Sequence, residues 1–125
     1  MLWHTVLVAA GGLLGSVARF WISGWAQRIG GSPFPYGTLT VNVLGSFAVG
    51  VVAALSYDRG TLSLNARLFL GVGFCGGFTT MSTFSYECFE LLREGNLWPA
   101  ALNVAATLIA CIGGAWAGAA LTRVA

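Results

Sequence analysis

Gly71-Val-Gly-Phe-Cys-Gly-Gly-Phe-Thr-Thr-Met-Ser-Thr-Phe-Ser-Tyr-Glu87 lies inside a long apolar run, yet its centre, Gly76 to Thr83, is mostly glycine and hydroxyl residues. Glycine adds backbone freedom and offers no side chain to pack. Clustered hydroxyls hydrogen-bond the main chain and compete with the helix ladder. In water such a composition makes a loop. Flanked by apolar sequence, it predicts a membrane helix interrupted at mid-depth, with Gly76 to Thr80 as the break. Irregular backbone at that depth is tolerated only where protein buries it or where it lines a wet cavity.

Working outward, the composition fixes the class. Of 125 residues, 57% are apolar and only 8% charged, against about 25% charged in ordinary globular domains. So few charges cannot cover a soluble fold, and the chain reads as an all-α integral membrane protein. A crossing takes about 20 mostly apolar residues, so four transmembrane helices and short connections consume residues 1–125 as a single four-helix transmembrane domain. A cleaved signal peptide is not expected, because the N-terminus lacks a positive flank and Arg19 follows the apolar core. Cys75, Cys88 and Cys111 show no C-x-x-C spacing and read as small apolar residues.

The first span is expected from about Thr5 to Trp25. Gly11 and Gly15 form a G-x-x-x-G pair that admits a close helix neighbour. Arg19 lies towards its end, placed either to snorkel to the headgroups or to attract anions at a pore mouth. A Gly-, Ser- and Pro-rich connection, Gln27 to Pro35, leads to a second span from about Tyr36 to Ser56. There Thr38, Asn42 and Ser46 recur every four residues and share a face. Such polar groups either join helices or line a pathway. After a polar loop, Tyr57 to Asn65, the third span runs from about Ala66 to Leu92, too long for one straight crossing without tilt or a break. Its second half sets Met81 and Phe84 three apart, beside Thr80, Thr83 and Glu87. The loop Arg93 to Pro99 precedes a fourth span from about Leu97 to Leu121, with Asn103 and Thr107 one turn apart and a second glycine pair, Gly114 and Gly118.

Every basic residue is an arginine, and the six are spread singly, unlike a nucleic-acid-binding patch. Four spans place Arg59, Arg67 and Arg123 on one side and Arg28 and Arg93 on the other, joined by Arg19 if it snorkels there. Basic residues normally decide orientation, so this three-against-three balance predicts dual topology, with copies inserted both ways and paired antiparallel.

Gly71, Gly73 and Gly76 match G-x-G-x-x-G in form, but a dinucleotide fold needs a preceding strand and a solvent crevice. No nucleophile, base and orienting group can be assembled, so an enzyme is not expected. A broken helix instead frees carbonyls for a hard cation such as sodium, while the restarted half presents N–H groups and a positive dipole end to an anion. Aromatic edges are electropositive, so Phe84 either offers an edge to an anion or simply packs.

The run Gly73-Phe-Cys-Gly-Gly-Phe-Thr-Thr-Met-Ser-Thr-Phe-Ser-Tyr-Glu87 resembles the signature of the Fluc (CrcB) fluoride channels. So do Gly15-Ser-Val-Ala-Arg19 and Gly37-Thr-Leu-Thr-Val-Asn-Val-Leu-Gly45. The resemblance covers all four spans. It implies an antiparallel, dual-topology homodimer in a bacterial inner membrane, with a broken third helix in each copy, two fluoride pathways per dimer and a sodium site at the dimer centre. It implies a fluoride-selective, passive channel that exports fluoride, lowers its cytoplasmic concentration and so confers fluoride resistance. It also implies a structural sodium ion held by the main-chain carbonyls of Gly76 and Thr79 from both copies. The fluoride pathway then comprises Phe84, Met81, Asn42, Thr38, Ser82, Thr83, Thr107, Arg19 and Glu87. Met81 departs from the family, which usually has phenylalanine there; methionine is soft and flexible but has no polarised edge. Phe84 is therefore the better candidate for direct anion contact. The alternative is a small dual-topology multidrug or cation exporter. That chemistry needs an intramembrane carboxylate to exchange protons; the first span has none, and Glu87 lies late in the third. A further alternative, a scaffold that transports nothing, explains the glycine faces but not the polar break.

Overall fold

A computed structural model describes residues 1–124, so of the expected 1–125 unit only Ala125 lies outside the described residues. Among the described residues every regular element is helical, and four helical stretches are long and apolar enough to cross a membrane. The first is α1 (Leu2–Gly30), longer at both ends than its apolar core because nothing breaks it before Gly31, which turns at φ 79°. Next comes α2 (Tyr36–Ala53), continued by five residues, Ala54–Asp58, wound with wider i→i+5 hydrogen bonds. The third crossing starts at α3 (Leu64–Arg67), where the Ser63 hydroxyl accepts the Ala66 amide at 3.2 Å. It continues through a wide-wound stretch, Leu68–Cys75, into a single turn, α4 (Gly76–Phe78). After an interruption it resumes as α5 (Met81–Arg93), and α6 (Leu97–Val124) is the fourth crossing.

Packing is decided by where side chains are missing. A Cβ on Gly11 would strike the Phe69 carbonyl oxygen, and one on Gly15 the Phe74 carbonyl oxygen. Thus α1 rides directly on the backbone of the wide-wound stretch, the close approach that G-x-x-x-G spacing predicts. The pairing of α2 with α6 follows the same rule, with Gly50 against the Ala115 carbonyl and Gly118 against that of Phe47. In a bilayer, lipid is as apolar as leucine, so contact area and van der Waals packing take the place of hydrophobic drive. The fully buried side chains are accordingly few: Val41 and Asn103 are the largest of them.

Candidate functional site

The interruption occupies two residues. Thr79 (φ −91°, ψ 160°) and Thr80 (φ −154°, ψ 115°) are extended. The sequence predicted a break over Gly76 to Thr80; instead Gly76–Phe78 completes a helical turn. These glycines serve proximity rather than disorder, since a Cβ on Gly77 would run into the Gly12 carbonyl of α1.

Three of the four main-chain groups of Thr79 and Thr80 have a named partner. The Thr79 amide and hydroxyl both donate to the Cys75 carbonyl, each at 3.0 Å. The next amide, Thr80 N–H, would continue the ladder to Gly76 but donates instead to Asn42 Oδ1 at 2.8 Å. Asn42 Nδ2 returns a bond to the Thr80 carbonyl at 3.1 Å. One buried amide side chain thus holds both polar groups of one extended residue, joining α2 to the break, and it also stands in the groove wall. Gly45, one turn further on α2, leaves room for the Thr79 side chain.

The restart is capped by Thr80. Its Oγ1 accepts the Thr83 amide at 3.1 Å, donates to Thr83 Oγ1 at 3.0 Å and lies 3.3 Å from Ser82 Oγ. An N-cap hydroxyl satisfies one of the amides a helix start leaves bare. Thr80 was legible as a hydroxyl in the break, but its capping role needed the extended backbone.

Of the two readings of Arg19, snorkelling or a charge at a pore mouth, the hydrogen bonding bears on the first. The Arg19 Nε donates to the Gly77 carbonyl at 3.0 Å. The side chain turns inward to the last turn before the break rather than out to the headgroups. The end of a half-helix carries partial negative charge and unsatisfied carbonyls, so a cation there is favoured over one exposed to lipid. With Arg19 withdrawn, the arginines stand three against two between the ends.

Two spaces flank this arrangement. A groove of about 370 Å³ sets Asn42, Ser46, Thr79, Thr80 and Thr107 among Met81 and the apolar Val49, Leu108 and Ile112. A cavity of about 380 Å³ at the other end of α5 is lined by Gln27, Glu87, Glu90 and Glu94. Between them on α5 lies Phe84, only 7% exposed, whereas Met81 is 71% exposed. Three residues apart at the helix start, the pair does not share one environment: Met81 opens on the groove and Phe84 is packed inside the protomer. Thr38 is buried on α2 as the polar neighbour of Glu87. Glu87 Oε1 is itself buried without a hydrogen-bond partner. Gln27 closes the connection after α1, donating to the Gly31 and Phe34 carbonyls and accepting the Gly37 amide at 3.0 Å.

On α6, Thr107 donates to Asn103 Oδ1 at 3.2 Å, and Asn103 Nδ2 donates to Cys88 Sγ at 3.3 Å. Asn103, 1% exposed, is absent from the residues chosen on sequence. Its i, i+4 spacing to Thr107 was the available signal.

Four apolar crossings, one of them broken and its loose main-chain groups held by side chains from two others, define a small multi-pass membrane protein of the broken-helix transport type. The chain belongs to the CrcB family: the family described as "CrcB-like protein, Camphor Resistance (CrcB)" matches residues 6–119. A relative from Geobacter sulfurreducens named "Fluoride-specific ion channel FluC" is 45% identical over 89% of this chain and 90% of its own length. Relatives of the same name from Geobacter metallireducens (44% identical, 90% of this chain, 91% of theirs) and Agrobacterium fabrum (44%, 96% and 96%) agree. It is accordingly a multi-pass protein of the bacterial inner membrane, in a family of channels rather than enzymes.

Proposed function

We propose that this chain conducts fluoride passively across the membrane, exporting it and lowering its cytoplasmic concentration, and that it does so as an antiparallel, dual-topology homodimer. The observation that carries the reading is the Asn42–Thr80 clamp, which holds a helix open at mid-span between two spaces that each have polar side chains in their walls. Family membership supplies the ion, since the relatives are named fluoride-specific channels.

A small anion stripped of water needs donors in return, and the break is rich in them. Ser82 and Thr83 stand at the restart, where N–H groups and the positive end of the α5 dipole favour an anion. Phe84 is the one side chain buried on α5 between the groove and the Glu87 cavity, so an ion passing from one to the other goes by its ring edge. Asn42 from α2 and Thr107 from α6 line the groove, and Thr38 is buried one turn before Asn42 on α2. Arg19 adds positive charge behind the break. Glu87 and Thr38 face each other at the far end, a pair able to order water or the neighbouring hydroxyl.

The residues present also fit a sodium ion. The Gly76 carbonyl is released because the Thr80 amide goes to Asn42, and Gly76 faces open space. Carbonyl oxygens suit a hard cation, and Gly76 and Thr79 from two copies would supply four. Bound there, sodium contributes fixed positive potential beside an anion path. The near balance of arginines between the two ends supports insertion in both orientations.

Liposomes loaded with fluoride or chloride and read with ion-selective electrodes test the conduction. Fast fluoride release with negligible chloride release is expected; release of neither, with proton-coupled uptake of cationic dyes, would return the exporter. A reporter fused to the C-terminus tests topology, and signal from a single compartment would rule out dual insertion.

A further inference from the structure

We propose that the groove between the second and third crossings, at the end of the molecule carrying Tyr57 and Arg67, binds an anionic phospholipid, its acyl chain in the groove and its phosphate on Arg67. The groove encloses about 390 Å³. Its walls are Val49 and Val52 from α2 and Leu68 and Val72 from the wide-wound stretch. The potentially polar Ser56 wall is neutralised, because its hydroxyl donates to the Val52 carbonyl at 2.7 Å. The two elements run antiparallel, so the groove extends from mid-membrane, at Val49 and Val72, to the loop end, at Tyr57 and Arg67. From Val49 to Ser56 that is about 10 Å of helix, a length suited to part of an acyl chain.

The polar end carries the charge complementarity. The Arg67 guanidinium lies over the Tyr57 ring, 5.3 Å from its centroid. Stacking engages the flat face of the group and leaves its N–H edge for another acceptor. Among the described residues Arg67 makes no ion pair, and the one carboxylate of that end, Asp58, is held by Arg123 at 2.6 Å. Arg59 is turned away to the Thr122 carbonyl at 3.0 Å. Of the three arginines at that end only Arg67 lines the groove. Phosphate matches the guanidinium fork, and basic pockets between membrane helices bind phosphorylated headgroups. The opposite cavity is lined by Glu87, Glu90 and Glu94, with Glu90 paired to Arg93, and its lining has no cation for an anionic headgroup.

The full chain is reconstituted in an equal mixture of phosphatidylglycerol and phosphatidylcholine, extracted in mild detergent and weighed by native mass spectrometry. Wild type is expected to retain phosphatidylglycerol several-fold over phosphatidylcholine. Arg67→Gln should bring that ratio close to one, while Arg59→Gln, removing a charge that does not face the groove, leaves it high. Gly71→Leu should reduce retained lipid of both kinds, since a Cβ there meets Val52 at an ordinary 3.4 Å and the longer side chain fills the groove. An unchanged ratio in Arg67→Gln, undiminished lipid in Gly71→Leu, or a wild type that emerges without lipid because a second copy covers the groove would each overturn the proposal.

Discussion

Before the break, the third crossing presses bare backbone against α1; after it, α5 stands off and is held by polar side chains. Gly73 and Gly77 meet the Val8 and Gly12 carbonyls with nothing between, and Phe74 stacks on Phe78 at 5.6 Å. The first half is a packing element, intolerant of added volume. The second half begins with Thr80, Ser82 and Thr83 bonded to one another and joined to the fold through Asn42. It is a chemical element, sensitive to lost hydrogen bonds. The close-packed turn up to Phe78 anchors the two extended residues, Thr79 and Thr80, that follow it.

The sharpest way to break this comparison is at the clamp. Asn42→Leu removes both main-chain partners of Thr80, leaving a part-buried amide and carbonyl bare. Each such bond contributes about 1 kcal/mol in a membrane, and with 1.4 kcal/mol per tenfold fluoride efflux should fall by at least about tenfold. Retained flux would mean that the break holds itself. Sodium-free medium acts on the same place through Gly76 and Thr79: prolonged removal should abolish flux, whereas unchanged flux would dissociate the freed carbonyls from any cation.

On the packing side, Gly15→Leu forces a side chain into the Phe74 carbonyl. Overpacking of this kind costs about 1–3 kcal/mol, so the thermal midpoint in detergent should drop, and little folded protein should be extracted. A stable Gly15→Leu with normal flux would show that α1 can move away freely. The next contrast lies within α5. Phe84→Ile should reduce fluoride flux much more than Met81→Ile, because Phe84 is packed between the two spaces and Met81 is exposed. Equal effects would place both side chains on the path. The smallest effect is expected from Arg19→Gln. Glutamine can still donate to the Gly77 carbonyl, so only the charge is lost, worth about 0.3–1 kcal/mol at a helix end. A severe loss of flux in the same efflux assay would move Arg19 from positioning the half-helix to contacting the ion.

Much of the site could be read from residue types alone. Asn42, Thr80 and Thr83 were conspicuous because a hydroxyl or amide amid apolar sequence needs a partner. The partners themselves were not legible. Asn42 and Thr80 are 38 positions apart, and Arg19 and Gly77 are 58 apart. Glu87 also resisted reading, because its buried, unpartnered Oε1 reflects the cavity around it rather than its neighbours in the chain.

The sequence by itself determined a four-crossing membrane protein with its third helix interrupted, because apolar length and glycine–hydroxyl clustering are local properties that a bilayer reads directly. Only the tertiary structure decided that the break is two residues long, that Asn42 holds it and that Arg19 points inward. Those outcomes depend on which freed backbone groups meet which side chains once α1 and α2 have packed, and no local preference contains that information.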